Sequence, residues 1–469
     1  MSRRQAYFAH GAWLPAGWCR DVRIEVENGR IVAVAEAASP DGAERLAGPV
    51  IPGMGNLHSH AFQRAMAGLT ERADGRGDNF WSWREVMYRF LARLAPDDCE
   101  AIAAQLYVEM LKSGYTGVAE FHYLHRDPAG KRYADAAEMA WRIGAAAETA
   151  GIALTLLPVF YAHATFGGTP PSEGQRRFIH SLDEFADLLD ALFGRLRAAG
   201  AGAAGGGVLR RVGIAPHSLR AVTPEELSAL VAMGEAHDAD APIHIHAAEQ
   251  RKEVEDSLAW SGQRPVAWLL DHQHIDARWC LVHATQLDGE ETRRLAACGA
   301  VAGLCPTTEA NLGDGIFNAA DFLAQGGRWG IGGDSHVGVD PFRELALIEY
   351  AQRLTAARRN ILAAPGCESI GAGLYRQALA GGAQALGQDT GAIAIGMRAD
   401  LVVLDTDDPA LAEREGHALL DAAVFGPVRQ AVRDTMVNGV WLVREGRHAR
   451  EADIFARYRH SLRRLLHAD

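Results

Sequence analysis

The feature that most limits the fold of this chain is a series of eight short apolar runs, each followed by a helix-like stretch. The first, "GPVIPGMGNL" (48–57), leads into "HSH". After it come "TGVAEFHY" (116–123), "IALTLLPVFY" (152–161), "RRVGIAPHSL" (210–219), "APIHIHAAE" (241–249), "WCLVHAT" (279–285), "GAVAGLCP" (299–306) and "RWGIGGDSH" (328–336). Runs that are apolar throughout and separated by helices belong to a parallel sheet covered on both faces. Eight such units predict a (β/α)8 barrel of the TIM type in preference to an open sheet. Helices are predicted within "DDCEAIAAQLYVEMLKSG" and "TPEELSALVAMGEAHD"; Thr223, with Glu226 three residues on, opens the second as a capping box.

The two ends read differently. "VRIEVENGRIVAVAE" near the start, and "GAIAIGMRADLVVLD" and "VRQAVRDTMVNGVWLV" near the finish, are strand-rich, with a turn signal at Glu27-Asn28-Gly29. They predict a small β-sandwich domain built from both termini, residues 1–50 and 386–469, the latter closing with a helix. The barrel then occupies 51–385, and a 469-residue chain has room for both units. "RAAGAGAAGGG" (197–207) reads as a flexible surface loop before the fourth strand. A net charge of −12 argues against a nucleic-acid partner, which would need a basic footprint. Neither a signal peptide nor a membrane span is evident, so the cytoplasm is the expected compartment. Six scattered cysteines without a CxxC pair predict free thiols.

Barrel enzymes carry their chemistry at the C-terminal ends of the strands. Here those ends hold His58 and His60, then Glu120, His122 and Tyr123, then His217 and Arg220. Further along come His244, His246 and Glu249, then His283, and finally Asp334 and His336. Residues two apart on a strand point the same way, so His58 and His60 can reach one point. His58, His60, His246 and Asp334 make a three-His, one-Asp metal set suited to Zn2+, although the same donors accept Fe2+ or Mn2+. Such a site acidifies a bound water. Glu249 is placed to shuttle a proton, and His283 to orient the attacking hydroxide. The PCxxC half of the other zinc-deaminase signature is missing. Gln63, Tyr123, His217 and Arg220 are donors suited to carboxylates, which predicts a small anionic substrate.

The ordered set "HSH", "HIHAAE", "VHAT" and "GGDSH", together with the terminal β segments, resembles the amidohydrolase superfamily in its cytosine- and guanine-deaminase-like branch. The resemblance implies metal binding by His58, His60, His246 and Asp334, and proton transfer by Glu249, His283 and Asp334. Binuclear relatives use a lysine after strand four; "GIAPHSLRAV" has none, which implies one metal per subunit. "GNLHSHAFQRAMAGLTE", "NFWSWREVMYRF" and "APHSLRAV" look like the group within the family that deiminates N-formimino-L-glutamate in bacterial histidine degradation. That likeness adds Arg84 as a substrate ligand able to reach a neighbouring subunit, and implies a homodimer. "CPTTEANLGDG" resembles the family's CPxSN-type loop, with Asn311 and Gly313 shaping one wall. Deamination of another amidine or of a guanine- or adenosine-type heterocycle is the alternative within the family. A non-catalytic scaffold barrel is the alternative outside it.

Overall fold

The computed structural model describes residues 4–71, 80–198, 200, 207–363 and 366–467. The centre of the chain forms eight parallel strand positions: β1 (Met54–Ser59), β2 (Tyr115–His122), β3 (Ala153–Phe160), β4 (Leu209–Val212, resumed at Ala215–Pro216), β5 (Ile243–Ala247), β6 (Trp279–His283), β7 (Val301–Leu304) and β8 (Arg328–Ile331). They pair as two half-sheets, β1 to β4 and β5 to β8. Two seams close them into a barrel. Parallel bridges join Ile214 to Ile243 and Ser218 to His246 at one seam, and Ser59 to Asp334 at the other. The second seam is tied by backbone bonds from His60 to the Asp334 carbonyl and from Asp334 to the His58 carbonyl. Closure of the barrel therefore sets the spacing between the HSH segment and Asp334. The fourth run is interrupted at Gly213, where the chain passes so close to the Pro242 carbonyl that a Cβ would strike it.

Both helix expectations hold, over Pro96–Ser113 and Pro224–His237, and Thr223 with Glu226 forms the predicted capping box at the second. The terminal segments combine in one nine-stranded mixed sheet, in which Val50–Pro52 from the first half pairs with Leu401–Leu404 from the second. This sheet has an apolar core of its own, including Val22, Ile24, Val50, Leu401 and Met436. Its hairpin between Gly17–Glu27 and Arg30–Ala35 turns through Asn28 and Gly29, with φ of 51° and 76° as a type I′ turn demands. The C-terminal helix Glu451–His467 crosses to the barrel, where Lys112 bonds Glu451 at 2.9 Å. The expected 197–207 loop lies largely outside the described residues. Among the described residues no helix is long and apolar enough to cross a membrane, and all six cysteines are free thiols.

The helix Ile370–Leu386 plugs the barrel end opposite the strand termini. Thr155 donates to its Leu386 carbonyl at 2.7 Å, and His244 to its Ala385 carbonyl at 2.8 Å. Gly381 makes this approach possible, because a Cβ there would overlap the Trp329 carbonyl. Gly381→Ala should therefore destabilise the protein by about 1–3 kcal/mol through backbone displacement. Gly194→Ala, in a helix with open space around it, should be neutral or stabilising by up to about 1 kcal/mol. Urea titrations of the two variants check the contrast.

Candidate active site and metal centre

At the C-terminal mouth of the barrel, His58, His60, His246 and Asp334 bring one ligand atom each to a common point. His58 Nε2 stands 3.1 Å from the Nε2 atoms of both His60 and His246. Asp334 Oδ1 is 3.1 Å from the Nε2 atoms of His58 and His60. Around a zinc ion with bonds of about 2.0–2.1 Å, tetrahedral neighbours lie about 3.3 Å apart, so these separations match a shared cation. The proton inventory agrees. His60 Nδ1 donates to the Phe121 carbonyl at 2.9 Å and His246 Nδ1 to the His217 carbonyl at 3.0 Å, which leaves the Nε2 lone pairs facing inward. Those lone pairs and a carboxylate, all buried, converge with too few protons to bond one another. The donor set therefore fits a divalent metal.

The electrostatics point the same way. Burial, then the neighbouring His60, pushes His58 down to about 3, and burial with His217 beside it holds His246 well below the usual imidazole range. Burial would raise the Asp334 carboxyl, but the His58 and His60 rings beside it outweigh burial and hold it well below the usual range. His58 and His246 are thus neutral imidazoles and Asp334 an ionised carboxylate, the states in which these groups bind metal.

Above the cluster is a cavity lined by Gln63, Arg84, Tyr123, His217, Arg220, Glu249 and His283, so every proposed catalytic and substrate residue reaches one enclosure. Glu249 lies between Arg220 (3.5 Å) and His283 Nε2 (3.9 Å). Burial raises the Glu249 carboxyl above its usual range, partly offset by His283 and Arg220. Gln63 donates to the Tyr123 hydroxyl at 2.7 Å. Arg84 belongs to the helix Phe80–Leu91 and rests 4.5 Å over the Trp81 ring and 5.6 Å from Tyr88. It lines the cavity of its own chain.

Other polar strand-end residues fall elsewhere. Phe121 faces the cluster, its ring 4.5 Å from that of His246, so the alternation along β2 turns Glu120 and His122 toward the surrounding helices. Glu120 there accepts bonds from Ser59, Tyr107 and the Ala61 amide, and Ser59 also contacts His336 at 2.9 Å. His244 lies one layer below His246, against the plug helix. Asn311 turns away to bond Glu71 at 2.7 Å, and Leu312 supplies that stretch of cavity wall, which corrects the assignment to Asn311; Gly313 ends the helix with φ of 71°. Sequence reasoning also missed Tyr88, Tyr161 and Phe178 on the walls. Of these Tyr161, at the end of the third run, was open to the same strand-end rule.

Comparison with known proteins places this geometry in context. Residues 50–442 match the model of the Amidohydrolase family, and residues 4–48 match "Formimidoylglutamate deiminase HutF, N-terminal domain". A formimidoylglutamate deiminase of Pseudomonas aeruginosa is 57% identical over 95% of this chain and 96% of its own. A 5-methylthioadenosine/S-adenosylhomocysteine deaminase of Haloarcula marismortui is 31% identical over 91% of this chain and 89% of its own. Among solved structures, an amidohydrolase from Brucella melitensis superposes with a TM-score of 0.92 at 48% identity, covering 98% of this chain and 100% of that one. A zinc-bound adenosine deaminase from Xanthomonas campestris shares the fold, with a TM-score of 0.79 at 22% identity over 99% of both chains. The terminal sheet, the closed barrel and these matches along the chain together establish that the protein belongs to the amidohydrolase family.

Proposed function

We propose that this protein hydrolyses N-formimino-L-glutamate to N-formyl-L-glutamate and ammonia, a step of histidine catabolism, with one zinc ion held by His58, His60, His246 and Asp334. The observation that carries the reading is the pairing of Arg84 and Arg220 in the cavity that opens onto the three-His, one-Asp cluster. A substrate with two carboxylates suits the two arginines and would place its formimino carbon toward the cluster. The 57% identity to a protein of that activity over nearly the full length supports it.

A divalent metal in this cradle would supply hydroxide near neutral pH by acidifying water, and iron or manganese could replace zinc. The side chains account for the remaining steps. Arg220, His217, Tyr123, Gln63 and Arg84 bind the glutamate carboxylates and aim the formimino carbon at the cluster. Glu249 takes a proton from the attacking water and passes it to the imino nitrogen, as a C–O bond forms and the C=N double bond opens. His283 faces the new oxygen and stabilises its charge. Asp334 then takes the hydroxyl proton and returns it to the nitrogen, so the C–N bond breaks as the C=O bond forms, releasing ammonia and leaving the formyl group.

The reading also takes the enzyme to be a cytoplasmic homodimer, on the strength of the family resemblance, with unit boundaries near residues 50 and 385. The test is ammonia release by zinc-loaded protein from N-formimino-L-glutamate, with guanine, adenosine and N-formiminoglycine in parallel. Turnover confined to the first is expected, with about one metal per chain by elemental analysis. Faster turnover of a heterocycle would overturn the substrate, and silence with all four in metal-replete protein would overturn the enzyme reading.

A further inference from the structure

One buried carboxylate beside the cavity has no role in the steps above. Glu309 lies on the short helix Pro306–Leu312 and is 5% exposed. Its Oε1 accepts the Cys305 amide at 2.8 Å and stands 3.2 Å from His283 Nδ1. Cys305 immediately precedes that helix, so the first bond anchors the carboxylate to the helix's own start. The opposite nitrogen of His283 faces the cavity, 3.9 Å from Glu249. His283 has a left-handed backbone with φ of 69°, as does Ala284 with φ of 51°. The ring direction is therefore not the one an extended strand would give and needs a partner to hold it. Cys305 Sγ is also nearby, but burial keeps that thiol protonated and unable to replace the carboxylate as acceptor. The preceding helix residue, Thr308, contacts Ser335 Oγ at 3.0 Å and donates to the Gly333 carbonyl at 3.1 Å. One short helix thus braces both His283 and the turn that carries Asp334.

We propose that Glu309 is a positioning residue for the deimination: by accepting the Nδ1 proton of His283 it fixes the ring direction that turns Nε2 toward the oxygen added at the reacting carbon. The inference rests on the reaction proposed above for its catalytic meaning, and on the Glu309–His283 geometry for its structural content.

The test compares full-length, metal-loaded Glu309→Ala and Glu309→Gln with the parent protein. Loss of an outer partner of this kind costs roughly 10- to 100-fold, so Glu309→Ala should lose that much kcat with KM and metal content nearly unchanged. Glu309→Gln, whose amide oxygen can accept both N–H groups, should recover most of it. Independently of activity, proton–nitrogen spectra of histidine-labelled, metal-loaded protein should show the His283 Nδ1 proton hydrogen-bonded in the parent and the Gln variant, and that hydrogen bond lost in the Ala variant. An Ala variant with parental kcat overturns the proposal, as does one that loses only thermal stability or metal. If the Ala variant does not fold, the Gln variant decides alone, and a loss of kcat beyond about 100-fold with the Nδ1 hydrogen bond retained overturns it. If the parent releases no ammonia from N-formimino-L-glutamate, the reaction is wrong, while the spectra still judge the positioning.

Discussion

Glu249→Gln should lower kcat by roughly 100- to 10,000-fold, the span over which a positioned acid–base group contributes. The substitution keeps the shape and the neighbours of the side chain but removes its capacity to carry a proton. Glu249 lies outside the four-residue ligand cluster, so metal content should stay at the parental level. Its backbone amide is bonded by Glu253 at 3.0 Å, an anchor the variant retains. KM should change by only a few-fold, because the carboxylate ligands of the substrate are untouched. Steady-state kinetics with elemental analysis on the same preparation check this. A variant within tenfold of the parental kcat at full metal occupancy would show that the proton travels by another group.

The same residue shows how much of the site could be read before folding. HxH at the end of β1, "HIHAAE" at β5 and "GGDSH" at β8 reveal themselves because strand ends cluster in a barrel and period two fixes which residues look inward. Glu249 and Asp334 follow from those anchors. On β2 the same rule has no purchase, because "TGVAEF" is buried along its whole length and no polar alternation marks the inward face. The structure turns Phe121 inward and Glu120 and His122 outward, a difference of one register step.

Glu309 was illegible for another reason. Its partner His283 lies 26 residues earlier, on a neighbouring strand, and the local text "PTTEANLG" reads equally well as a turn. Contacts made across a closed barrel leave no mark in local periodicity. Arg84 was visible only through resemblance, since a half-buried helix arginine stacked on tryptophan looks like any surface residue until the helix docks over the cavity. The spacing that puts Asp334 beside HSH was legible as a motif, and the seam between β8 and β1 is its physical cause.

Arg220→Met should be the most damaging change to substrate recognition. The guanidinium is buried, 3.5 Å from Glu249, on the wall of the cavity, and its Nε has no partner among the described residues. Removing one member of a buried charged contact costs about 2–5 kcal/mol. At 1.4 kcal/mol per factor of ten, kcat/KM for N-formimino-L-glutamate should fall by roughly 30- to 5,000-fold. Methionine fills similar space without charge, and metal content should persist because Arg220 is not in the ligand cluster. A small amidine without carboxylates separates the two things Arg220 touches. If Arg220 binds the substrate's carboxylate, the loss on the dianion should exceed the loss on the small amidine by at least about tenfold. Equal losses on both would mean that Arg220 acts through Glu249, and the carboxylate would then have to be held chiefly by Arg84, His217 and Tyr123.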